Sequence, residues 1–374
     1  MSEERYTFIT EWYDTNAGIV RQFHLYYFIN DNLIEIYDLK NKRIFLKKCE
    51  YPQIQISNLY IGSILNIYSR QHKILDYADQ FTRQKFSSQA AKSLLIIKPD
   101  AYLKIGNIIE QIEQNNFNIN QIKMTKLSLK EAEEFYAEHK GKSFFADLTQ
   151  FICSDLIVAI ELVTNDCVNN LKKLVGPTNC QVARVDAPKS LRAQFGSDGV
   201  RNGLHCSENK QKASFELDFF FSEKSDIKPC AIFNNCTICL IKPHILKQRK
   251  IGQIIQVILN EGFEISAMQS FNLNRPTAEE FLEIYKGVLP EFNQIADHIS
   301  SGTSIVMEIR QENVVQLFRD ICGPMDPEIA KISQPSSIRA IYGIDRIRNA
   351  VHCTDLPEDG QLEVEFFFNI LQKI

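Results

Sequence analysis

Val200-Arg-Asn-Gly-Leu-His-Cys206 and Ile347-Arg-Asn-Ala-Val-His-Cys353 are two versions of one short stretch, and what surrounds them decides the architecture of the chain. At the displacement that separates His205 from His352, Leu174-Val-Gly-Pro177 meets Ile321-Cys-Gly-Pro324, and Ser190-Leu-Arg-Ala193 meets Ser337-Ile-Arg-Ala340. Phe215-Glu-Leu-Asp-Phe-Phe-Phe221 likewise meets Leu362-Glu-Val-Glu-Phe-Phe-Phe368. Further upstream, Leu94-Leu-Ile-Ile-Lys-Pro-Asp100 recurs, close to the same register, as Thr237-Ile-Cys-Leu-Ile-Lys-Pro-His244. Units of this length, each with its own apolar runs, are tandem domains, because solenoid repeats run at roughly 20 to 50 residues.

The copies are placed at 92–224 (copy A) and 236–374 (copy B). The join, 225–235, is short and carries Pro229 and two asparagines, as a linker between packed units should. In each copy an apolar strand, an Ile-rich stretch of helical period, a second strand (Leu156–Ile160; Ser304–Glu308) and further helix alternate, which predicts an α+β domain. Residues 1–91 share no motif with either copy. Tyr6–Ile9, Phe23–Phe28, Leu33–Tyr37, Arg43–Leu46 and Ile61–Tyr68 are aromatic and β-branched runs between Asp/Asn turn signals, which predicts a small β-rich domain.

Composition excludes several classes. Over 374 residues, 42 Lys plus Arg stand against 46 Asp plus Glu, a net charge of -4, so there is no field for holding nucleic acid non-specifically. The chain is 44% hydrophobic and 24% charged, as packed globular domains are. No window reaches the 18 or so apolar residues of a membrane helix, and no membrane partner is expected. Met1-Ser-Glu-Glu-Arg5 has no apolar run behind it and reads as no leader, so a cytoplasmic setting and reduced thiols are expected for the ten cysteines.

Some motifs are decoys. Gly141-Lys-Ser143 lacks the first glycine of a phosphate loop, since that place is Tyr136. Cys236 and Cys239 form a lone C-x-x-C on an apolar strand, which reads as buried core rather than metal. His24, His72, His139, His244 and His298 have no histidine at the matching place in another copy and read as structural.

His205 and His352 differ because their whole frame repeats: Arg192 and Arg339, Asn202 and Asn349, a hydroxyl two residues on at Ser207 and Thr354, then Glu216 and Glu363. With Lys98 and Lys242, each copy gathers two cations, an amide and an imidazole, which suits transfer of a polyanionic phosphoryl group. The imidazole can be the nucleophile, oriented by the glutamate.

On these residues the chain resembles a nucleoside diphosphate kinase twice over, through its Lys-Pro-Asp strand end, its Asn-x-x-His-x-Ser segment and the downstream Glu. Glu11-Trp-Tyr-Asp14, Tyr27-Phe-Ile-Asn-Asp-Asn32 and Tyr77-Ala-Asp79 make the N-terminal region similar to a DM10 domain, and this domain order resembles family members of ciliary axonemes. The resemblance implies two ferredoxin-like α/β sandwiches that pass the γ-phosphoryl group of a Mg2+-bound NTP such as ATP to an NDP by way of the histidine. It implies nucleotide contacts from Lys98, Tyr136, Phe144, Lys172, Thr178, Arg192 and Asn202 in copy A, and from Lys242, Tyr285, Arg319, Arg339 and Asn349 in copy B. It also implies tubulin or axonemal microtubule partners and a place in the cytoskeleton of the ciliary axoneme.

The sequence departs from the family pattern at several places. Lys172 stands for the phosphate arginine and loses its bidentate fork, and the loop from Thr178 to Arg192 reads as longer than usual. In copy B the Asp after Lys-Pro is His244 and the Thr is Met325. The stretch from Tyr285 to Gly302 reads as shorter than usual, with no base-stacking Phe. A working, weakened copy A and a vestigial copy B are expected. The competing reading is a structural protein of the microtubule doublet lumen that retains kinase domains by descent.

Overall fold

The computed structural model describes residues 4–14, 17–86 and 91–373; residues 1–3, read above for a leader, lie outside that set. The aromatic runs at the N-terminus form one antiparallel sheet of β1 (Arg5–Asp14), β2 (Ile19–Phe28), β3 (Leu33–Asp38), β4 (Arg43–Glu50), β5 (Ile64–Ile67) and β6 (Arg70–Tyr77), in the order β4-β3-β2-β1-β6-β5. Alternation sends Tyr6, Phe8, Phe23, Leu25, Tyr27, Ile34 and Ile36 to one buried face. The strand expected over Ile61–Tyr68 is only β5, because Gly62 takes φ +89 and Tyr68 and Ser69 both take positive φ in the turn to β6. The helix Gln80–Phe86 closes the core by burying Thr82 and Phe86.

The two copies share a single sheet. Copy A contributes β7 (Ala91–Ile97), β8 (Asn118–Thr125), β9 (Ile157–Thr164) and β10 (Leu204–Cys206). Copy B contributes β11 (Cys236–Ile241), β12 (Glu264–Phe271), β13 (Ser304–Arg310) and β14 (Val351–Cys353). The order is β10-β7-β9-β8-β12-β13-β11-β14, so each copy runs fourth, first, third, second from its outer edge, the ferredoxin-like arrangement. The copies meet at Gln269 and Lys123, paired between β12 and β8. Five of the six residues of β11 are almost wholly inaccessible, as expected for a strand covered on both faces.

Beneath the joined sheet the helices Ile105–Gln114 and Ile251–Asn260 cross. Their isoleucines at helical spacing, Ile105, Ile108, Ile109 and Ile112 against Ile251, Ile254, Ile255 and Ile258, are all buried in one core, each stabilising by roughly 1.5 to 3 kcal/mol. Gly106 and Gly252 permit the approach: a Cβ on Gly106 would stand 2.4 Å from Gln256 N, and one on Gly252 would stand 2.2 Å from Glu110 N. Glu113, 3% exposed, accepts from Ile251 N at 3.1 Å and Gly252 N at 3.0 Å, capping the opposing helix. The N-terminal sheet touches both copies. Tyr60 Oη donates to Asn120 Oδ1 at 3.1 Å, Gln71 Nε2 donates to Leu273 O at 2.6 Å, and Asn66 Nδ2 donates to Ser300 O.

Candidate active sites

In copy A, β7 delivers Lys98 at its buried end, where the following Pro99 holds Lys98 extended and starts a short 3-10 turn. Lys98 Nζ donates to Asn202 Oδ1 at 2.8 Å and Val200 O at 3.0 Å. Burial, and then the Arg192 charge, push its ammonium down to about 8. Asn202 Nδ2 in turn donates to Thr178 O at 3.1 Å. Arg192 Nη1 donates to Gly176 O at 2.8 Å and Nη2 to Leu204 O at 3.1 Å. Two buried donors of this cluster, Tyr136 Oη and Arg192 Nε, have no protein partner among the described residues. Leaving such groups unbonded is costly.

β10 places His205 opposite Ile96 of β7. The helix Lys210–Phe221 returns Glu216 beneath it. His205 Nε2 lies 3.0 Å from Glu216 Oε1, and Ser207 Oγ donates to Glu216 Oε2 at 2.6 Å. Burial raises the Glu216 carboxyl, but the bonds from His205 and Ser207 outweigh it and hold it below its ordinary value. With Nε2 on the carboxylate, Nδ1 is the nitrogen left for chemistry. The edges of Phe135 and Tyr136, 5.3 Å and 5.7 Å away between ring centroids, limit ring rotation.

Thus Lys98, Tyr136, Arg192, Asn202, His205 and Glu216 form one cluster. Lys172 and Phe144 stand at its rim: Lys172 Nζ reaches Glu208 O at 3.3 Å, and the Phe144 ring lies 5.6 Å from His139. Thr178 is exposed and joins the cluster only through its carbonyl. Asp100, the last residue of the Lys-Pro-Asp motif but unassigned in the sequence reading, accepts from Gly203 N at 3.0 Å and so fixes the turn that enters β10.

Copy B repeats the centre. Lys242 Nζ donates to Asn349 Oδ1 at 2.7 Å, and burial and then Arg339 push Lys242 down to about 7. His352 Nε2 lies 3.1 Å from Glu363 Oε2, and Thr354 Oγ1 donates to the same oxygen at 2.8 Å. A cavity of about 300 Å³ opens over Lys242, Arg319, Arg339, Asn349 and His352.

Its rim is rebuilt. Tyr285, matched above with Tyr136, does not hold that place: Tyr136 caps the helix Leu129–Phe135, and its counterpart capping Arg275–Phe281 is Leu282. Tyr285 ends the next 3-10 turn, where copy A has His139. With Leu282 as the reference, the following stretch is no shorter than in copy A, since the next helices begin at Phe145 and Phe292. Glu291 caps the second of these where Phe144 caps the first, and it pairs with Arg346 at 2.9 Å. His244 turns to His298, 2.9 Å away, and burial pushes both imidazoles down, to about 4 and about 3.

Cys236 and Cys239 are buried free thiols, and among the described residues no group of three or more His, Cys, Asp or Glu is arranged to hold a metal ion. Among the described residues no helix is long and apolar enough to cross a membrane.

A sequence model of the nucleoside diphosphate kinase family matches residues 91–225 and again 235–372. Residues 1–88 match the nucleoside diphosphate kinase 7 N-terminal PH domain, a pleckstrin-type description where the sequence suggested DM10. The chain is 44% identical over 370 residues to nucleoside diphosphate kinase homolog 7 of Rattus norvegicus, covering 98% of this chain and 94% of the relative. The Mus musculus protein of that name gives the same identity and coverage. The solved Aquifex aeolicus nucleoside diphosphate kinase is 37% identical over 36% of this chain and 96% of its own, with a TM-score of 0.35. Two family matches on two repeated histidine sites, in domains of one fold, place the chain in the nucleoside diphosphate kinase family.

Proposed function

We propose that copy A transfers the terminal phosphoryl group of an NTP to an NDP through a phosphohistidine at His205. The observation that carries the reading is the pairing of His205 Nε2 with Glu216 beside two buried, unpartnered donors, Tyr136 Oη and Arg192 Nε. The Nδ1 lone pair attacks the γ-phosphorus, the bond from that phosphorus to the β-bridging oxygen breaks, and NDP leaves. A β-phosphate oxygen of a second NDP then attacks the phosphorus, and the N–P bond breaks to restore His205. Glu216 stabilises the imidazolium character that develops on the ring during both steps. Lys98, Arg192 and Tyr136 offer charge and hydrogen bonds to the phosphates. Mg2+ enters with the nucleotide as part of the substrate and screens its charge.

The reading extends to location at axonemal microtubules of the cilium, with tubulin or axonemal proteins as partners. It is supported by the likeness of the domain order to axonemal family members and by a sheet whose Ile44 and Phe45 are exposed on the edge strand β4. The test of the enzyme reading is acid-labile label from γ-labelled MgATP on the wild type, His205→Ala, His352→Ala and the double variant, chased with NDP. Label that needs His205 and chases into NTP is expected. A wild type that takes no chaseable label overturns the proposal and leaves the scaffold reading.

A further inference from the structure

Copy B gathers three thiols where copy A has one. Cys239 of β11 lies opposite Cys353 of β14, whereas copy A pairs Leu95 with Cys206. Cys322 ends the helix Val314–Cys322 just before Gly323, and its counterpart before Gly176 is Val175. Cys239, Cys322 and Cys353 are 0%, 0% and 3% exposed and belong to one core.

A buried free cysteine ordinarily behaves as a small inert hydrophobe, because burial disfavours its thiolate. Cys239 and Cys322 follow that rule, and burial pushes both thiols well up. Cys353 departs from it. The Cys322 thiol is hydrogen-bonded to Cys353, and Arg339 Nη2 donates to Cys353 Sγ at 3.5 Å. The bond from Cys322 and the Arg339 charge outweigh burial and hold the Cys353 thiol below its ordinary value. Cys353 also lines the cavity of about 300 Å³, beside His352 and Arg339, so a molecule as small as hydrogen peroxide has a way in. In copy A burial prevails and raises the Cys206 thiol.

We propose that Cys353 and Cys322 form a peroxide-responsive dithiol site in copy B, with Cys353 as the attacking sulfur and Cys322 as the resolving one. The Cys353 thiolate attacks one oxygen of hydrogen peroxide and the O–O bond breaks. The hydroxide that leaves takes the proton Cys353 gave up, forming water, and Cys353 becomes a sulfenic acid. The Cys322 sulfur then attacks the Cys353 sulfur, the S–O bond breaks, and the departing hydroxide takes the Cys322 proton as a second water. The two thiols together lose two electrons, which reduce the peroxide. The disulfide ties the end of the helix Val314–Cys322 to β14, one residue from His352, and removes the thiolate that faces Arg339. No step involves a nucleotide, so the site stands apart from transfer in copy A.

The test exposes the full chain, reduced and desalted, to hydrogen peroxide over a time course. Remaining thiols are alkylated under denaturing conditions, and each cysteine is followed by peptide mass spectrometry. A Cys322–Cys353 linked peptide, reversed by dithiothreitol, is expected to form at least about tenfold faster than Cys206 is oxidised. In Cys322→Val, which copies Val175, Cys353 is expected to accumulate as sulfinic acid instead, and in Cys353→Ala the Cys322 thiol is expected to stay reduced. Oxidation of Cys353 no faster than that of Cys206 in the wild type overturns the proposal. Linkage of Cys353 to Cys239 in place of Cys322 overturns the assignment of the resolving sulfur. The wild type alone decides both points, so a variant that fails to fold does not shelter the proposal.

Discussion

Gly203 and Ala350 occupy the same turn with the same left-handed backbone, at φ +73 and φ +71, one residue before the strands that carry His205 and His352. Only glycine holds that conformation without a Cβ penalty. Copy B therefore stores strain at the entrance to its histidine strand. It also lacks the brace that Asp100 gives Gly203 in copy A, because His244 faces His298.

Ala350→Gly is accordingly expected to stabilise copy B by about 1 kcal/mol, the strain relieved less the added freedom of the unfolded chain. Denaturant midpoints of the wild type and the variant measure it. A loss of stability would show that the turn is not strained.

Lys172→Arg restores a planar fork at the rim of copy A, where Lys172 Nζ donates to the Glu208 carbonyl at 3.3 Å. The phosphotransfer rate of copy A, read as kcat/KM with His352→Ala in the background, is expected to rise by about three- to tenfold. The single-turnover rate of His205 labelling separates this from tighter nucleotide binding.

Glu113 gives the junction a pH dependence. Burial pushes its carboxyl up from 4.5 to about 7, against the lowering effect of the Gly252 and Ile251 amides. A carboxyl with a raised folded pKa binds more protons folded than unfolded. Its contribution to stability is thus full below pH 4.5 and is lost as pH rises through about 7. The loss is on the order of 3 kcal/mol. Glu113→Gln is expected to flatten the unfolding free energy between pH 5 and pH 8, in buffers that match ionic strength. An unaltered slope in the variant would assign the dependence to other groups.

Gly252→Ala puts a methyl group 2.2 Å from Glu110 N and 2.5 Å from Gly106 O. Neither contact is with a flexible side-chain end, so the helices must move apart, at about 1 to 3 kcal/mol. Calorimetry is expected to show a lower Tm, with one transition of the wild type splitting toward two as the copies lose their contact.

Much of this was legible in the letters because the chain carries its own comparison. The repeat around His205 and His352 located both histidine–glutamate pairs, and apolar runs entering Lys98 and Lys242 marked the strands that deliver them. What the sequence left hidden depends on helix register and side-chain direction. Tyr285 drew the match with Tyr136 by residue type, whereas the helix caps give that place to Leu282. Asp355 carries no signal in the letters, since no spacing rule says that its carboxylate turns to Arg319 while that of Glu208 turns to Lys212. The contacts of Asn66 and Gln71 with copy B are long-range bonds to main-chain oxygens, which any residue offers and no motif records.

The join of the copies into one sheet, with Gln269 beside Lys123, has a consequence for inheritance. In an assembly of identical chains each substitution falls on every site at once, so a change that blunts one site blunts all. Here the two halves of a near-symmetric unit are separate stretches of one gene. His244, Leu282, Met325 and Ala350 stand on one side, where Asp100, Tyr136, Thr178 and Gly203 stand on the other. The covalent fusion therefore makes the halves heritable independently, and one can drift toward a new ligand while its neighbour keeps the old one.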